Sequence, residues 1–351
     1  MRSDKLAFHD YYRKFYEQVF FPYLWDNDIT EVIQTGDLFD RRKFVNFNTL
    51  HLSKEYFFNE FSKPFKPLKL HTYPGNHDIY YRNTLEVNSI NLLLKEYISH
   101  GFINFYNTPT TITFDEIPID FIPWICPDNE QQIKQFIQNS KSEICFGHFQ
   151  IQGFEMERGH TCVEGMTRGE LNKYEMVISG HFHHRSTDGH IFYVGSPGEM
   201  TWADYDDTRG FHIFDTSTRE LEFIENPFRI HHKIIYDDTN ETLENITSAD
   251  YSLYANNIVK VIIQQKNNPV LFDAFMDSLS IAQPVDISIV EDFSDTNISD
   301  DDVIDQADDT ITIISKVIDG VDTSLDKDKL KGIMRDIYLD ALNFDNIRDI
   351  T

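Results

Sequence analysis

The sequence predicts an α/β protein: a two-sheet sandwich flanked by helices, then a small α+β domain and C-terminal helices. Three observations predict it. From Asp4 to Tyr23, the residues Leu6, Tyr11, Phe15, Val19 and Tyr23 recur at helical spacing. Four short apolar runs follow, Glu31–Gln34, Leu68–His71, Ile144–Phe146 and Met176–Ile178, each ending in a glycine-led polar motif where a strand would give way to a loop. Beyond Asn226-Pro227, strand-like and helix-like runs alternate once more before a strongly acidic stretch.

Taken in order, the elements divide the chain into four parts. A hairpin-like stretch, Gly210–Asp215 and Glu220–Ile224, closes a first domain expected at 1–227. Strand-like runs at Ile230–Tyr236, Ile258–Gln264 and Val285–Val290, with a helical run at Val270–Leu279, predict a capping domain at 228–292. Residues 286–310 hold ten acids and no Lys or Arg, so an acidic linker is expected at 293–309. Two amphipathic patterns follow, Ile311, Ile314, Val317 and Ile318, then Leu330, Ile333, Met334, Ile337, Tyr338 and Ala341. They predict a helical segment at 310–351 that docks on a partner rather than building the core.

The four motifs carry the chemistry. They read Gly36-Asp37-Leu38-Phe39-Asp40, Gly75-Asn76-His77-Asp78, Gly147-His148 and Gly180-His181-Phe182-His183. Two divalent ions about 3.5–4 Å apart can clamp one phosphoryl group and activate a water, but ions that close need a bridging anion. Asp37 is the candidate bridge. Asn76 would give a neutral oxygen, and His148, His181 and His183 would give nitrogens. In an extended loop His181 and His183 point the same way, so they could reach adjacent ions. An oxygen and nitrogen set without thiolate favours Mn, Fe or Zn. His77 suits a phosphate contact or proton donation to the leaving oxygen, with Asp40 accepting its other N–H. Any one motif alone is ordinary turn chemistry. Four in fixed order, each at a strand end, point to a metal-dependent phosphoesterase.

These residues resemble the calcineurin-like metallophosphoesterase superfamily, whose motif set is D-x-H, G-D-x-x-D, G-N-H-[DE], G-H and G-H-x-H. Within it the chain is similar to the nuclease subunits of SbcCD-type break-repair complexes, those of T-even-like phages in particular. Ile122-Pro123-Trp124, Tyr193–Pro197 and Arg209-Gly210-Phe211 leading to Phe214-Asp215 add to the similarity. The resemblance implies a metallophosphoesterase sandwich over about residues 1–225. It implies that Asp37 bridges two ions, that Asn76, His148 and His181 complete one, that His183 binds the other, and that His77 serves the transition state. It further implies Mn²⁺ as the metal, DNA as the substrate and a capping domain that guides it. The C-terminal helices would bind the coiled-coil base of an SbcC-type ABC ATPase, with the nuclease a homodimer within a heterotetramer.

The D-x-H motif has no match here. The chain opens with the helix that should follow it, and His9-Asp10 lies inside that helix with no strand before it. One metal site is therefore expected to be incomplete in this chain, and the expected reason is a sequence that begins late. The alternative is a degenerate or one-metal protein.

Composition bounds the rest. No apolar run approaches the roughly 20 residues of a membrane span, and the tyrosine-rich N-terminus is not a signal peptide. Cys126, Cys145 and Cys162 lack metal-type spacing and read as reduced thiols, which suits a cytoplasm, that of a bacterial host if the chain is phage-encoded. The net charge is −27, but residues 236–351 hold 25 acids against 8 bases, so most of the acidity is remote from the motifs. Arg41-Arg42-Lys43, Arg82 and Arg185 lie near them and could hold phosphates flanking the scissile one. The reading is a sequence-tolerant DNA exo/endonuclease working with an ATPase in recombination and repair. Another phosphodiesterase or phosphatase of the same fold, or an inactive scaffold, are the alternatives.

Overall fold

The computed structural model describes residues 4–157 and 160–291, together with Ile318, Lys327, Leu330, Lys331 and Met334, all five of them helical. The expected acidic linker and the remainder of the C-terminal helical segment lie outside the described residues. The chain forms two compact units. One takes Glu31–Val45 and Leu68–Val194 and holds all four motifs. The other takes the N-terminal residues to Thr30, then Asn46–Pro67, and the described residues from Gly195 to Glu291.

The motif-bearing unit is built from two sheets. Strands β1 (Glu31–Gln34), β2 (Lys69–Thr72) and β3 (Ile103–Phe105) make a parallel sheet in the order β1-β2-β3. The other is six-stranded. Its members are β4 (Thr110–Phe114), β5 (Ile117–Ile122), β6 (Ile144–Gly147), β9 (Met176–Ser179), β10 (Ser186–Thr187) and β11 (Ile191–Tyr193), in the order β10-β11-β9-β6-β5-β4. A small ribbon, β7 (Glu155–Glu157) with β8 (His160–Thr161), interrupts the chain between β6 and β9. Ring contacts join the two sheets: His71 on β2 meets Phe114 on β4 and Phe121 on β5, and Tyr73 and Tyr106 also meet Phe121. Phe121 is wholly buried, so truncating it would cost about 3–5 kcal/mol.

The strand runs read from the sequence are close to those observed, because residues of β6 and β9 are buried on both faces and need a continuous apolar run. Strand β1 is different. It is an edge of its sheet and only half-buried. A helix at Glu130–Asn139 packs Ile133 and Ile137 into a core with Ile122, Cys145, Val177 and Ile191. The three cysteines are free and buried.

In the other unit, the helix expected from Asp4 to Tyr23 is one helical run in three pieces. They are α1 (Leu6–Phe15), a π-helical segment (Tyr16–Phe20) and α2 (Phe21–Asp26). Leu6 is exposed and the buried face runs through Phe8, Tyr11, Tyr12 and Phe15, then Phe20, Phe21 and Leu24. The step of five from Phe15 to Phe20 is the π segment's doing. Pro22 explains it, since proline offers no N–H and clashes with a carbonyl four residues back. His9 is engaged structurally: its ring nitrogens lie 3.3 Å from Tyr56 Oη and 3.2 Å from Thr49 Oγ1 on α3 (Phe47–Tyr56).

The remaining elements of this unit are a hairpin and an α+β layer. Strands β12 (Gly210–Phe214) and β13 (Leu221–Glu225) pair antiparallel. Arg209, beside β12, is buried against Asp204 and Asp207 and donates to Ser196 Oγ. Strands β14 (His231–Asp237), β15 (Ile258–Gln265) and β16 (Asp286–Glu291) form a parallel sheet. Two helices, Leu243–Ser248 and Pro269–Ile281, bury Ile246, Phe272, Phe275 and Leu279 against it. No helix among the described residues is long and apolar enough to cross a membrane.

Candidate metal centre

All four motifs follow the carboxyl ends of strands in the same unit: Asp37 after β1, Asn76 and His77 after β2, His148 after β6, His181 and His183 after β9. Their glycines keep space for one another. A Cβ on Gly36 would strike the His148 ring, one on Gly75 would strike Asp37, and one on Gly180 would strike the Thr35 carbonyl. Gly36 also sits at φ +89°, where a side chain is strained. Asp37 (φ 56°) and His181 (φ 88°) occupy positive φ without being glycine. Such strain persists where surrounding contacts over-determine it.

Those contacts are visible. Asp37 Oδ1 accepts from the His77 main-chain N–H at 2.7 Å, and Oδ2 lies 3.2 Å from His148 Nε2. His148 Nδ1 donates to the Thr35 carbonyl at 2.7 Å. Asn76 Oδ1 lies 3.0 Å from both His148 Nε2 and His181 Nδ1. The ligand atoms of Asp37, His148 and His181 all lie within 4.8 Å of one another. His183 is not in that group of three, although it is near enough to act on His181 electrostatically.

This donor set fits a divalent cation. With Nδ1–H committed to Thr35, a neutral His148 points the Nε2 lone pair at Asp37 Oδ2, Asn76 Oδ1 and His181 Nδ1. Lone pairs facing each other repel unless a positive charge lies among them. Asp37 and His181 already favour their ligating forms, whereas metal-free His148 favours a proton that a bound cation would displace. Burial alone would raise the Asp37 carboxyl, but the facing His148 and His77 hold it well below the usual carboxylate range. Burial opposes a charged His148, yet the Asp37 carboxylate raises its pKa. His181 is pushed down to about 3 by burial and then by His148. The centre is therefore anionic oxygen beside imidazole nitrogen, with His181 held neutral and ready to ligate.

His77 differs from expectation in one respect. Its Nδ1 donates to the main-chain carbonyl of Asp40, not to the carboxylate. The turn after β1 brings that carbonyl to the ring, and the same bond fixes Nδ1 as protonated.

Three participants were not assigned from sequence. Asp78 is wholly buried, and its carboxylate accepts from Gly75 N (2.9 Å), Leu38 N (3.2 Å), Phe39 N (3.2 Å) and Ser89 Oγ (3.4 Å). It ties the loop of Asp37 to the loop of Asn76. Burial and the Asp37 charge push it up to about 6 against the pull of those N–H groups. Trp124 lays its ring 5.8 Å from His148 and 5.3 Å from His181, an apolar wall beside the ligands. Thr35 acts through its carbonyl. The signals for the first two were their places in Gly75–Asp78 and Ile122-Pro123-Trp124; nothing marks a main-chain acceptor.

Loops at strand ends that gather a carboxylate, an amide and imidazoles define a metallophosphoesterase. Residues 8–185 match the family model of the calcineurin-like phosphoesterases, and the chain belongs to that family. It is 34% identical over 274 residues to exonuclease subunit 1 of Enterobacteria phage T4, covering 77% of each protein. Among solved structures, an archaeal phosphodiesterase aligns at 14% identity and a TM-score of 0.30, over 58% of this chain and 88% of its own.

Proposed function

We propose that the chain is a metal-dependent DNA exo/endonuclease that hydrolyses phosphodiester bonds as the nuclease subunit of an ATPase-coupled recombination and repair complex. The observation that carries the reading is the convergence of Asp37, Asn76, His148 and His181 with His77 on the adjoining loop. The similarity to a phage exonuclease subunit supports DNA as the substrate.

Asp37, Asn76, His148 and His181 would hold one divalent ion, and Asp37 with His183 a second whose protein ligands are incomplete in this chain. Mn²⁺ is the expected metal, and bound there it would supply charge stabilisation to the phosphoryl group and activation of water. The chain's own part is positional. Asp37 supplies the anion, the Thr35 carbonyl turns the His148 Nε2 lone pair inward, and Asp78 keeps the two loops in register. His77, with Nδ1–H on the Asp40 carbonyl, keeps Nε2 for the substrate and can donate a proton there to the leaving oxygen. Arg41, Arg42, Lys43 and Arg82 would hold neighbouring phosphates.

The domain at 228–292 would guide DNA over the site, and the helices at 310–351 would bind the coiled coil of the ATPase, with two nuclease chains in the complex. Such a complex would work in the cytoplasm of a bacterial host. The test is Mn²⁺-dependent hydrolysis of linear DNA. His77→Ala should slow it by about 10²–10⁴-fold, and hydrolysis that survives this change, or needs no divalent metal, would refute the reading. A chain ending near Asp300 that still co-purifies with the ATPase would refute the docking role.

A further inference from the structure

The loops that build the metal centre also carry aromatic rings to the surface. After Asp40 the chain reads Arg41-Arg42-Lys43-Phe44, and after Asp78 it reads Ile79-Tyr80-Tyr81-Arg82. Phe44 is 59% exposed and Tyr80 36% exposed. The Arg41 guanidinium lies over the Phe44 ring at 4.9 Å, and the Lys43 ammonium lies 6.0 Å from the centre of the Tyr80 ring. Tyr81 meets Tyr80 edge to face at 4.8 Å. The two loops thus share one patch of alternating rings and cations. It joins the metal centre directly, since Asp40 carries the carbonyl that holds His77 and Tyr80 lies three residues beyond His77.

The Tyr80 side of the patch is well anchored. Tyr80 N donates to the Val87 carbonyl at 2.9 Å, Ile79 forms a bridge with Asn88, and the Ile79 side chain is wholly buried with Leu85 and Cys126. Neighbouring exposed rings gathered in one patch mark a surface where something binds. The cations state what that is. In a chain of net charge −27, three consecutive cations beside exposed rings suit an anionic partner that also has flat apolar faces.

We propose that Phe44 and Tyr80, with Arg41 and Lys43 beside their rings, form a stacking platform for unpaired nucleobases of the DNA strand next to the phosphate being cut. Each ring would take a base face and the cations the phosphates on either side, which is how single strands are held without sequence preference. A base paired within a duplex keeps both faces covered and cannot use the platform, so the favoured substrate has unstacked nucleotides beside the cut. The proposal rests on the nuclease reading above for the identity of the strand.

The test is affinity for a hydrolysis-resistant single-stranded oligodeoxynucleotide and for an abasic strand of equal phosphate number, read by fluorescence anisotropy. The chain should bind the base-bearing strand about ten-fold more tightly. Phe44→Ala and Tyr80→Ala should each shrink that ratio, and Phe44→Trp should retain it. Equal affinity for the two strands, or a ratio unchanged in both alanine variants, would overturn the platform. Hydrolysis of bis(p-nitrophenyl) phosphate, run beside it, reports on the metal centre alone. Its absence with the base preference intact would remove the nuclease reading and leave the platform standing; its presence without the preference would do the reverse.

Discussion

His148 donates its Nδ1–H to the carbonyl of Thr35 at 2.7 Å, and this bond decides which of its two nitrogens can ligate. A ring fixed this way presents Nε2 without rotating, so the ordering of a ligand has been completed before any ion arrives. Thr35 and His148 lie on loops after β1 and β6, and the gap between those loops is kept open by Gly36.

Gly36→Ala tests that gap. A methyl group there meets the His148 ring and must adopt φ +89°. The variant should lose about 1–2 kcal/mol of stability from the backbone strain. Its Mn²⁺ affinity should fall about 10–100-fold. Thermal melting and calorimetric titration would measure the two effects separately.

Asp78→Asn keeps the shape but not the acceptors. The carboxylate receives two donors on each oxygen, whereas an amide offers oxygen to only one pair and turns its NH₂ on the other. We expect a loss of about 1–3 kcal/mol in chemical denaturation. Turnover should drop as the Asp37 and Asn76 loops lose register. Wild-type stability in this variant would mean that Asp78 is not what joins them.

Asp40→Asn and His77→Ala should differ sharply in turnover. Since His77 bonds to the Asp40 main chain, the Asn variant keeps the acceptor and should hydrolyse a small phosphodiester at close to the wild-type rate. A fall comparable to that of His77→Ala would return the role to the Asp40 carboxylate.

Rising pH should destabilise the metal-free chain while leaving the metal-loaded chain nearly unaffected. Although burial opposes it, the Asp37 carboxylate raises the pKa of His148 above 6.5. Without metal, that stabilisation is fully present below 6.5 and is lost as pH rises through the elevated value. The windows of Asp78, 3.8 to about 6, and of His181, about 3 to 6.5, both end below it. Metal binding needs a bare Nε2, so stabilisation by Mn²⁺ should grow over the same rise. Melting temperatures in EDTA and in Mn²⁺, from about pH 6.5 to about pH 8.5, should therefore diverge; parallel curves would show that His148 is not a ligand.

Most of the architecture was legible because its signals are local. Buried strands such as Ile144–Gly147 and Met176–Ser179 announce themselves as apolar runs, and the loops after them as glycine-led motifs. What escaped depends on contacts between distant segments. The four donors that converge on Asp78 come from residues up to forty positions away, and the carbonyls of Thr35 and Asp40 have no side-chain signature. The six-residue helix Leu243–Ser248 is too short to show a period. The register shift at Tyr16–Phe20 could have been read from Pro22, which an uninterrupted helical spacing passed over.

That shift alters which mutations the N-terminal helix can survive. Because the π segment holds one residue more than an ordinary turn, its phase serves as a counter between Phe15 and Phe20. Point changes at the exposed Glu17 or Gln18 leave the count untouched. Removing either residue would let the segment close into regular α-helix and shorten the step from Phe15 to the Phe20 position from five residues to four. An α-helix prefers that step at its own geometry, so the deletion should cost little there, provided Pro22 finds another way to avoid the carbonyl behind it. Insertions have no such slack. Length variation in this helix should therefore run one way, toward loss of a single residue near Glu17, and not toward gain.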